Sequence, residues 1–226
     1  MSRFQSCLIV TYGRSGSTLL QGVLNTIPGW LIRGENEHFA VHLHRAHAAL
    51  HLAQTRPYPA DTSVPSDPWF GIHEVDLARM RADCAMLIRN ALVPLAQQQA
   101  VRCFGFKEIR YVFAPEELPG YLDFLTSVLP DLAIIFNFRD IDAVMRSAWW
   151  REWDQVESRA MIDRFERAAI AYHLDHPTHS VIMRHEQLIR RDQALRALFD
   201  FLGETLNPAK LDPVFATTHS TRTLVD

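Results

Sequence analysis

The sequence predicts an α/β fold in which helices flank a central parallel β-sheet. Short β-rich segments alternate with longer segments whose apolar residues recur at helical spacing, which is typical of parallel sheets. The segment Leu132–Phe138 is apolar except for Asn137, as expected of a strand that is buried on both faces. The first strand candidate ends in a turn that contains Gly13 and Gly16 and that opens a helix.

The individual elements follow from local sequence patterns. Strands are predicted for the β-rich runs at residues 7–12, 30–33, 101–107, 132–138 and 180–183. Helices are predicted from apolar periodicity at residues 19–27, 37–54, 74–99, 115–129, 157–176 and 191–202, with a further helix from Ile141. Residues 55–70 hold four prolines among small polar residues and are predicted to form a loop.

The composition predicts one globular domain over residues 1–226. The chain has 226 residues, 48% of them apolar and 22% charged, which suffices for a core without disulfides or metals. Its formal net charge of -3 disfavours a protein that binds duplex nucleic acid. Three cysteines in no disulfide pattern favour a reducing compartment. The N-terminal apolar run is too short for a signal peptide and no run is long enough to span a membrane, so we expect a cytoplasmic protein.

The turn after the first strand has the chemistry of an anion-binding loop. A turn that opens a helix directs several backbone N–H groups to one point, at the positive end of the helix dipole. Arg14 adds a planar cation that suits phosphate or sulfate oxygens. Ser17 stands where an ATP-binding Walker loop requires lysine, so a Mg-ATP site is disfavoured. The loop comprises Gly13, Arg14, Ser15, Gly16, Ser17 and Thr18.

The run TYGRSGSTL at residues 11–19 resembles the 5′-phosphosulfate loop of sulfotransferases, above all the tyrosylprotein and bacterial groups. Those enzymes use 3′-phosphoadenosine 5′-phosphosulfate (PAPS) and release 3′-phosphoadenosine 5′-phosphate (PAP). The resemblance implies a P-loop-like three-layer fold. Because sulfate carries less charge than phosphate, we expect no metal ion to be required. The lack of a predicted membrane anchor favours a soluble bacterial enzyme over a Golgi-type one. The resemblance also implies that the six loop residues hold the phosphosulfate and that Arg14 offsets the charge that develops during transfer.

Two later segments resemble the same family in the same order. Arg139 ends a predicted strand and Ser147 follows eight residues later on the predicted next helix. The resemblance implies that both bind the 3′-phosphate. Residues 183–188, MRHEQL, resemble the family's VRYEDL, and residues 197–203, ALFDFLG, resemble its LxxFxFLG. His185 takes the place of a tyrosine near the adenine, which implies a role in cofactor binding.

Two glutamates are candidates for the base that deprotonates the acceptor. In the tyrosylprotein and bacterial enzymes a glutamate follows the second strand. Glu35 lies 21 residues after Arg14, which matches that count, whereas Glu37 matches the E-x-F spacing of bacterial trehalose sulfotransferases. The glutamate that is not the base would bind the acceptor or begin the next helix, and a third interpretation is that neither acts as base.

Several further residues have both a functional and a structural interpretation. Lys107 ends a predicted strand, where it would either stabilise the transferring sulfuryl group or be solvated, and Arg110 would reach the acceptor. The histidine pairs at 38/42 and 47/51 have the spacing of metal ligands on a helix, but a solvated or acceptor-lining face is favoured. Trp149, Trp150 and Trp153 would form either core or acceptor wall.

These patterns predict an enzyme that transfers a sulfuryl group from PAPS to a hydroxyl, or less favourably an amine. The acceptor would be a small molecule, a lipid or a carbohydrate. A P-loop-type nucleotide or sugar kinase is the alternative, although the missing loop lysine counts against it. A non-catalytic nucleotide-binding protein on the same fold is the third interpretation.

Overall fold

The computed structural model describes residues 3–57 and 61–217. Its strands are β1 (Ser6–Val10), β2 (Trp30–Ile32), β3 (Cys103–Glu108), β4 (Leu132–Phe138) and β5 (Ser180–Arg184). Its helices are α1 (Ser17–Leu24), α2 (Phe39–Thr55), α3 (Leu77–Leu92), α4 (Leu118–Val128), α5 (Ile141–Met145), α6 (Gln155–Asp175), α7 (His185–Arg190), α8 (Gln193–Leu202) and α9 (Pro208–Ala216). Residues 58–60 of the predicted loop, and residues 1–2 and 218–226 of the predicted domain, lie outside this part of the chain.

The strands form one parallel sheet in the order β2-β3-β1-β4-β5. The central strand β1 pairs with β3 on one side and with β4 on the other. The chain therefore builds the sheet outward from β1 in both directions. In open α/β sheets such a switch in strand order leaves a crevice beyond the carboxyl ends of the central strands, where ligands bind.

Alternate residues of the central strands serve two separate cores. Leu8 and Val10 of β1 point into a core beneath α2, α3, α4 and α6. Cys7 and Ile9 point to the opposite core, beneath α1, α7, α8 and α9. This burial on both faces explains why β4 is apolar along nearly its whole length. The structure thus confirms the predicted α/β fold, with a parallel sheet between two helical layers.

Some predicted helices have different bounds. The helix predicted at residues 74–99 ends at Leu92, because Pro94 disfavours helical backbone at the preceding Val93, which is extended. The segment predicted as one helix at 191–202 belongs to two, since Arg191 adopts a left-handed conformation with φ of 52° after α7. The Asp192 side chain then caps α8. Helix α9 was not predicted from the sequence.

Candidate active site

The polar residues predicted from the sequence gather beyond the carboxyl ends of the strands. The anion-binding loop follows β1, Lys107 is the penultimate residue of β3, and Arg139 follows β4. Because the strands are parallel, these ends lie along one edge of the sheet. A cavity of about 320 Å³ opens there, which we call the anion cavity. Its polar side chains include Arg14, Thr18, Glu35, Lys107, Arg139 and His185.

Buried hydrogen bonds support the loop from below. Gly16 has a φ of 81°, a left-handed conformation that favours glycine, and it directly precedes α1. Thr11 Oγ1 donates to the Asn137 carbonyl at 2.5 Å and lies 2.7 Å from Ser15 Oγ. Asn137 Nδ2 in turn donates to the Ser15 carbonyl at 3.0 Å. Ser15 therefore stabilises the loop through these hydrogen bonds and is not among the residues that line the cavity.

The two arginines of the site are linked through the loop backbone. Arg139 Nη1 donates to the Arg14 carbonyl at 2.9 Å, and Arg14 Nε donates to Ser147 Oγ at 2.9 Å. Ser147 was predicted on a helix beside Arg139, but α5 ends at Met145 and Ser147 has extended backbone. Both arginines line the anion cavity, whereas Ser147 does not. The structure therefore places the Ser147 hydroxyl where it orients Arg14.

The anion-binding loop contains no lysine, but Lys107 of β3 lies beside it. Its side chain is buried at the end of β3, which pairs with β1 beside the loop. The Nζ donates to Thr18 Oγ1 at 3.2 Å and lies 3.1 Å from Glu35 Oε1. The ammonium group thus lies between the anion-binding loop and a carboxylate, and both line the same cavity.

His185 packs directly against the loop at the start of α7. A Cβ atom added at Gly16 would lie 2.1 Å from His185 Nδ1, so only glycine leaves room for this ring. Burial lowers the pKa of His185, and the nearby positive charge of Arg139 lowers it further. The imidazole is therefore neutral at neutral pH and lines the anion cavity as a polar ring without charge.

The two candidate bases face different surroundings. Glu35 is half exposed and lines the anion cavity beside Lys107. Glu37 is 82% exposed, forms an ion pair with Arg110, and lines none of the cavities described for this edge of the sheet. Glu37 and His38 both have left-handed backbone, with φ of 54° and 62°, so the chain turns directly after Asn36. His38 Nδ1 lies 2.9 Å from the buried Glu108 carboxylate, a close contact without hydrogen-bond geometry.

A second cavity of about 300 Å³, which we call the aromatic cleft, adjoins the anion cavity. Gly13, Glu35, Ile109 and Trp149 line both. Trp149 lies over Gly13, where an added Cβ would come within 2.5 Å of its ring. The apolar walls of the cleft are Ile109, Val112, Phe113, Trp149, Trp150 and Trp153.

The sequence profile of the sulfotransferase family matches residues 7–208, nearly the whole chain. The chain belongs to the sulfotransferase family. Two solved structures show the same fold as this sulfotransferase. One is the sulfotransferase domain of the Synechococcus PCC 7002 olefin synthase, with 20% identity over 93% of this chain and 77% of that one and a TM-score of 0.53. The other is the sulfotransferase domain from the curacin biosynthetic pathway, with 15% identity over 96% and 80% and a TM-score of 0.54.

These matches establish family and fold, including the predicted P-loop-like three-layer architecture. No curated protein sequence matches this sulfotransferase significantly. Within residues 3–57 and 61–217, no helix combines the length and apolar character of a membrane span. The same ranges contain no cluster of three or more His, Cys, Asp or Glu side chains arranged to hold a metal.

Several supporting residues of this sulfotransferase were not predicted from the sequence. Tyr12 donates to Glu166 Oε1 at 2.7 Å, and its hydroxyl accepts from the Arg139 backbone N–H at 3.0 Å. This network fixes the backbone from which Arg139 reaches the anion cavity. The only sequence signal was that Tyr12 and Asn137 are polar groups within apolar strand segments, where a hydrogen-bond partner is obligatory.

Proposed function

We propose that this sulfotransferase takes its sulfuryl group from PAPS and transfers it to a hydroxyl of a small acceptor. The observation that carries the proposal is the convergence of Arg14, Lys107 and Arg139 on one cavity at the end of a helix-opening loop. Three cations, loop amides and the hydroxyls of Ser17 and Thr18 form a donor set suited to a phosphosulfate. The chemistry of the lining therefore fits PAPS.

In this proposal the loop and its basic neighbours act mainly by electrostatics. PAPS, when bound, supplies a sulfuryl group on a bridging oxygen that leaves with the phosphate. Arg14 and the backbone N–H groups of residues 13–18 would hold the 5′ end and offset negative charge as it develops on the leaving oxygen. Lys107 would stabilise the transferring group, because its buried ammonium lies at the junction of loop and carboxylate.

Recognition of the 3′-phosphate is assigned to Arg139. Its guanidinium lines the cavity, and its Nε is buried without a hydrogen-bond partner in the described residues. For Ser147 the geometry supports a positioning role through Arg14 rather than a phosphate contact. The neutral ring of His185 would then lie beside the nucleotide without adding charge.

We assign the general base to Glu35 rather than to Glu37. Glu35 lines both the anion cavity and the aromatic cleft, so its carboxylate meets both a donor and an acceptor molecule. Glu37 is turned outward and is paired with Arg110. A base must lie within hydrogen-bond reach of the proton that it removes, and Glu35 alone of the two borders the cavities.

The first test compares the ligands PAP, 5′-AMP and Mg-ATP by calorimetric titration of the wild-type protein. PAP should bind far more tightly than 5′-AMP, because only PAP carries the 3′-phosphate. Transfer from PAPS is then measured for Glu35→Gln, with Glu37→Gln as the matched control. Glu35→Gln should reduce transfer by about 10²–10⁴-fold with PAP affinity unchanged, as expected for a lost general base.

Three results would contradict the proposal. Preferential binding of Mg-ATP would restore the kinase alternative. Full transfer activity in Glu35→Gln would remove the assigned base, and a matching loss in Glu37→Gln would move that role to Glu37. If the wild-type protein binds PAP but transfers no sulfuryl group, it is a non-catalytic nucleotide-binding protein.

A further inference from the structure

Large apolar side chains are exposed to solvent around the aromatic cleft. Phe113, Trp149 and Trp153 are 53%, 37% and 41% exposed, although each carries a large apolar ring. Glu35 and Arg110 are the charged groups that line the cleft. Exposed aromatic side chains that converge on a concave surface next to a reaction site indicate a ligand pocket.

The walls of the cleft are held in place before any ligand arrives. Trp150 is buried, and its Nε1 donates to the Gly13 carbonyl at 2.9 Å. The Trp150 and Trp153 rings lie 5.3 Å apart at 65°, and the Phe113 and Trp153 rings lie 6.1 Å apart at 48°. Gln155 Nε2 donates to the backbone carbonyls of Trp150 and Trp153 at 2.7 and 3.2 Å. A rigid pocket of this kind binds with little loss of side-chain freedom.

The cleft joins the anion cavity at the candidate base. Glu35 and Trp149 line both cavities, so a molecule held against Trp149 meets the Glu35 carboxylate where the two cavities meet. Gly13 lies under Trp149 at the same junction. An acceptor bound in the aromatic cleft would therefore lie on one side of Glu35, and the proposed sulfuryl donor on the other.

We propose that the aromatic cleft selects a small phenol as acceptor, an inference that rests on the proposed function. Aromatic side chains favour a planar aromatic ring through offset or edge-to-face contacts. A volume of about 300 Å³ is at the lower end for small-molecule sites, which suits one or two fused rings. A sugar would need more polar partners than Glu35 and Arg110 provide.

The chemistry of proton removal favours the same class of acceptor. A carboxylate is a weak base, and a phenolic hydroxyl, with a pKa of about 10 in tyrosine, loses its proton more easily than an aliphatic alcohol. In the transfer, the phenolic oxygen forms a bond to sulfur while the bond from sulfur to the bridging oxygen breaks. PAP leaves with that oxygen and the electron pair, and the phenolic proton passes to Glu35.

The test uses PAP-saturated protein and two acceptors of the same carbon skeleton, 2-naphthol and its saturated counterpart decahydro-2-naphthol. Calorimetric titration should show 2-naphthol binding at least about tenfold more tightly. Trp153→Leu should abolish this preference and raise KM for 2-naphthol while PAP affinity stays unchanged. Trp69→Leu is the matched control, because Trp69 is also exposed but lines neither cavity.

Each outcome separates this inference from the proposed function. Equal affinity for the two alcohols, or an unchanged preference in Trp153→Leu, would refute the phenol inference while PAP binding and PAPS-dependent transfer stand. Absence of PAP binding in the wild type would refute the proposed function and this inference with it. If Trp153→Leu fails to fold, Phe113→Leu removes the ring that packs against Trp153, and retention of the preference there would refute the inference equally.

Discussion

Replacement of Gly16 by alanine tests how closely the loop and His185 are packed. Gly16 has a φ of 81°, and a side chain in that region costs about 1–2 kcal/mol. The new Cβ would also lie 2.1 Å from His185 Nδ1 and 2.8 Å from Cγ. Because Cγ lies near the backbone, rotation of the ring cannot remove the overlap, and such overpacking costs about a further 1–3 kcal/mol.

We therefore expect Gly16→Ala to lower the free energy of unfolding by about 2–5 kcal/mol, the sum of the backbone and packing effects. Gly71→Ala is the matched control. Gly71 has a φ of 76°, but the nearest atom to its added Cβ lies 4.0 Å away, so only the backbone effect of about 1–2 kcal/mol remains. Urea unfolding followed by tryptophan fluorescence measures both losses.

A double-mutant cycle isolates the contact itself. His185→Ala should restore about 1–3 kcal/mol in the Gly16→Ala background, because the small side chain leaves room for the Cβ atom. A coupling energy near zero would refute the packing argument. So would a Gly16→Ala variant that loses no more stability than Gly71→Ala.

Two further predictions concern charge. Arg139→Ala should weaken PAP binding by about 2–4 kcal/mol in calorimetry. Arg146 is exposed and does not line the anion cavity, so Arg146→Ala should bind PAP normally. Equal PAP affinities of the two variants would contradict the assigned phosphate contact. Burial raises the pKa of Glu166, so the folded protein holds the carboxyl proton of Glu166 more tightly than the unfolded chain does. The free energy of unfolding should therefore fall as pH rises from the ordinary glutamate range through the raised pKa. Glu166→Gln keeps a hydrogen-bond acceptor for Tyr12 and should not show this fall when urea unfolding is measured at several pH values. Parallel pH profiles of wild type and variant would contradict the role assigned to Glu166.

The anion-binding loop could be predicted because its signals are local. A β-rich run, two glycines and the start of an apolar helical stretch follow one another directly between residues 7 and 19, and the backbone geometry follows from them. The parallel sheet was predictable for a similar reason, since burial on both faces leaves β4 almost wholly apolar. Family membership, which the resemblance implied, is confirmed by the match over residues 7–208.

Helix bounds were less predictable because single residues decide them. Pro94 ends α3 early, and the left-handed Arg191 divides the last predicted helix in two. Likewise, α5 is too short to carry Ser147, so this hydroxyl reaches Arg14. Spacing along the chain suggested a phosphate contact for Ser147, but spacing alone does not determine where a helix ends.

The sequence by itself determined the fold class, the family and the set of candidate groups, because periodicity, glycines and short motifs are properties of neighbouring residues. Only the tertiary structure decided which candidates meet. Lys107 reaches Thr18 across 89 positions because β3 lies beside β1 in the sheet. Glu35 faces both cavities and Glu37 does not, because two consecutive left-handed residues turn the chain after Asn36. Strand order and backbone turns of this kind arise from the packing of the whole chain, which no local pattern contains.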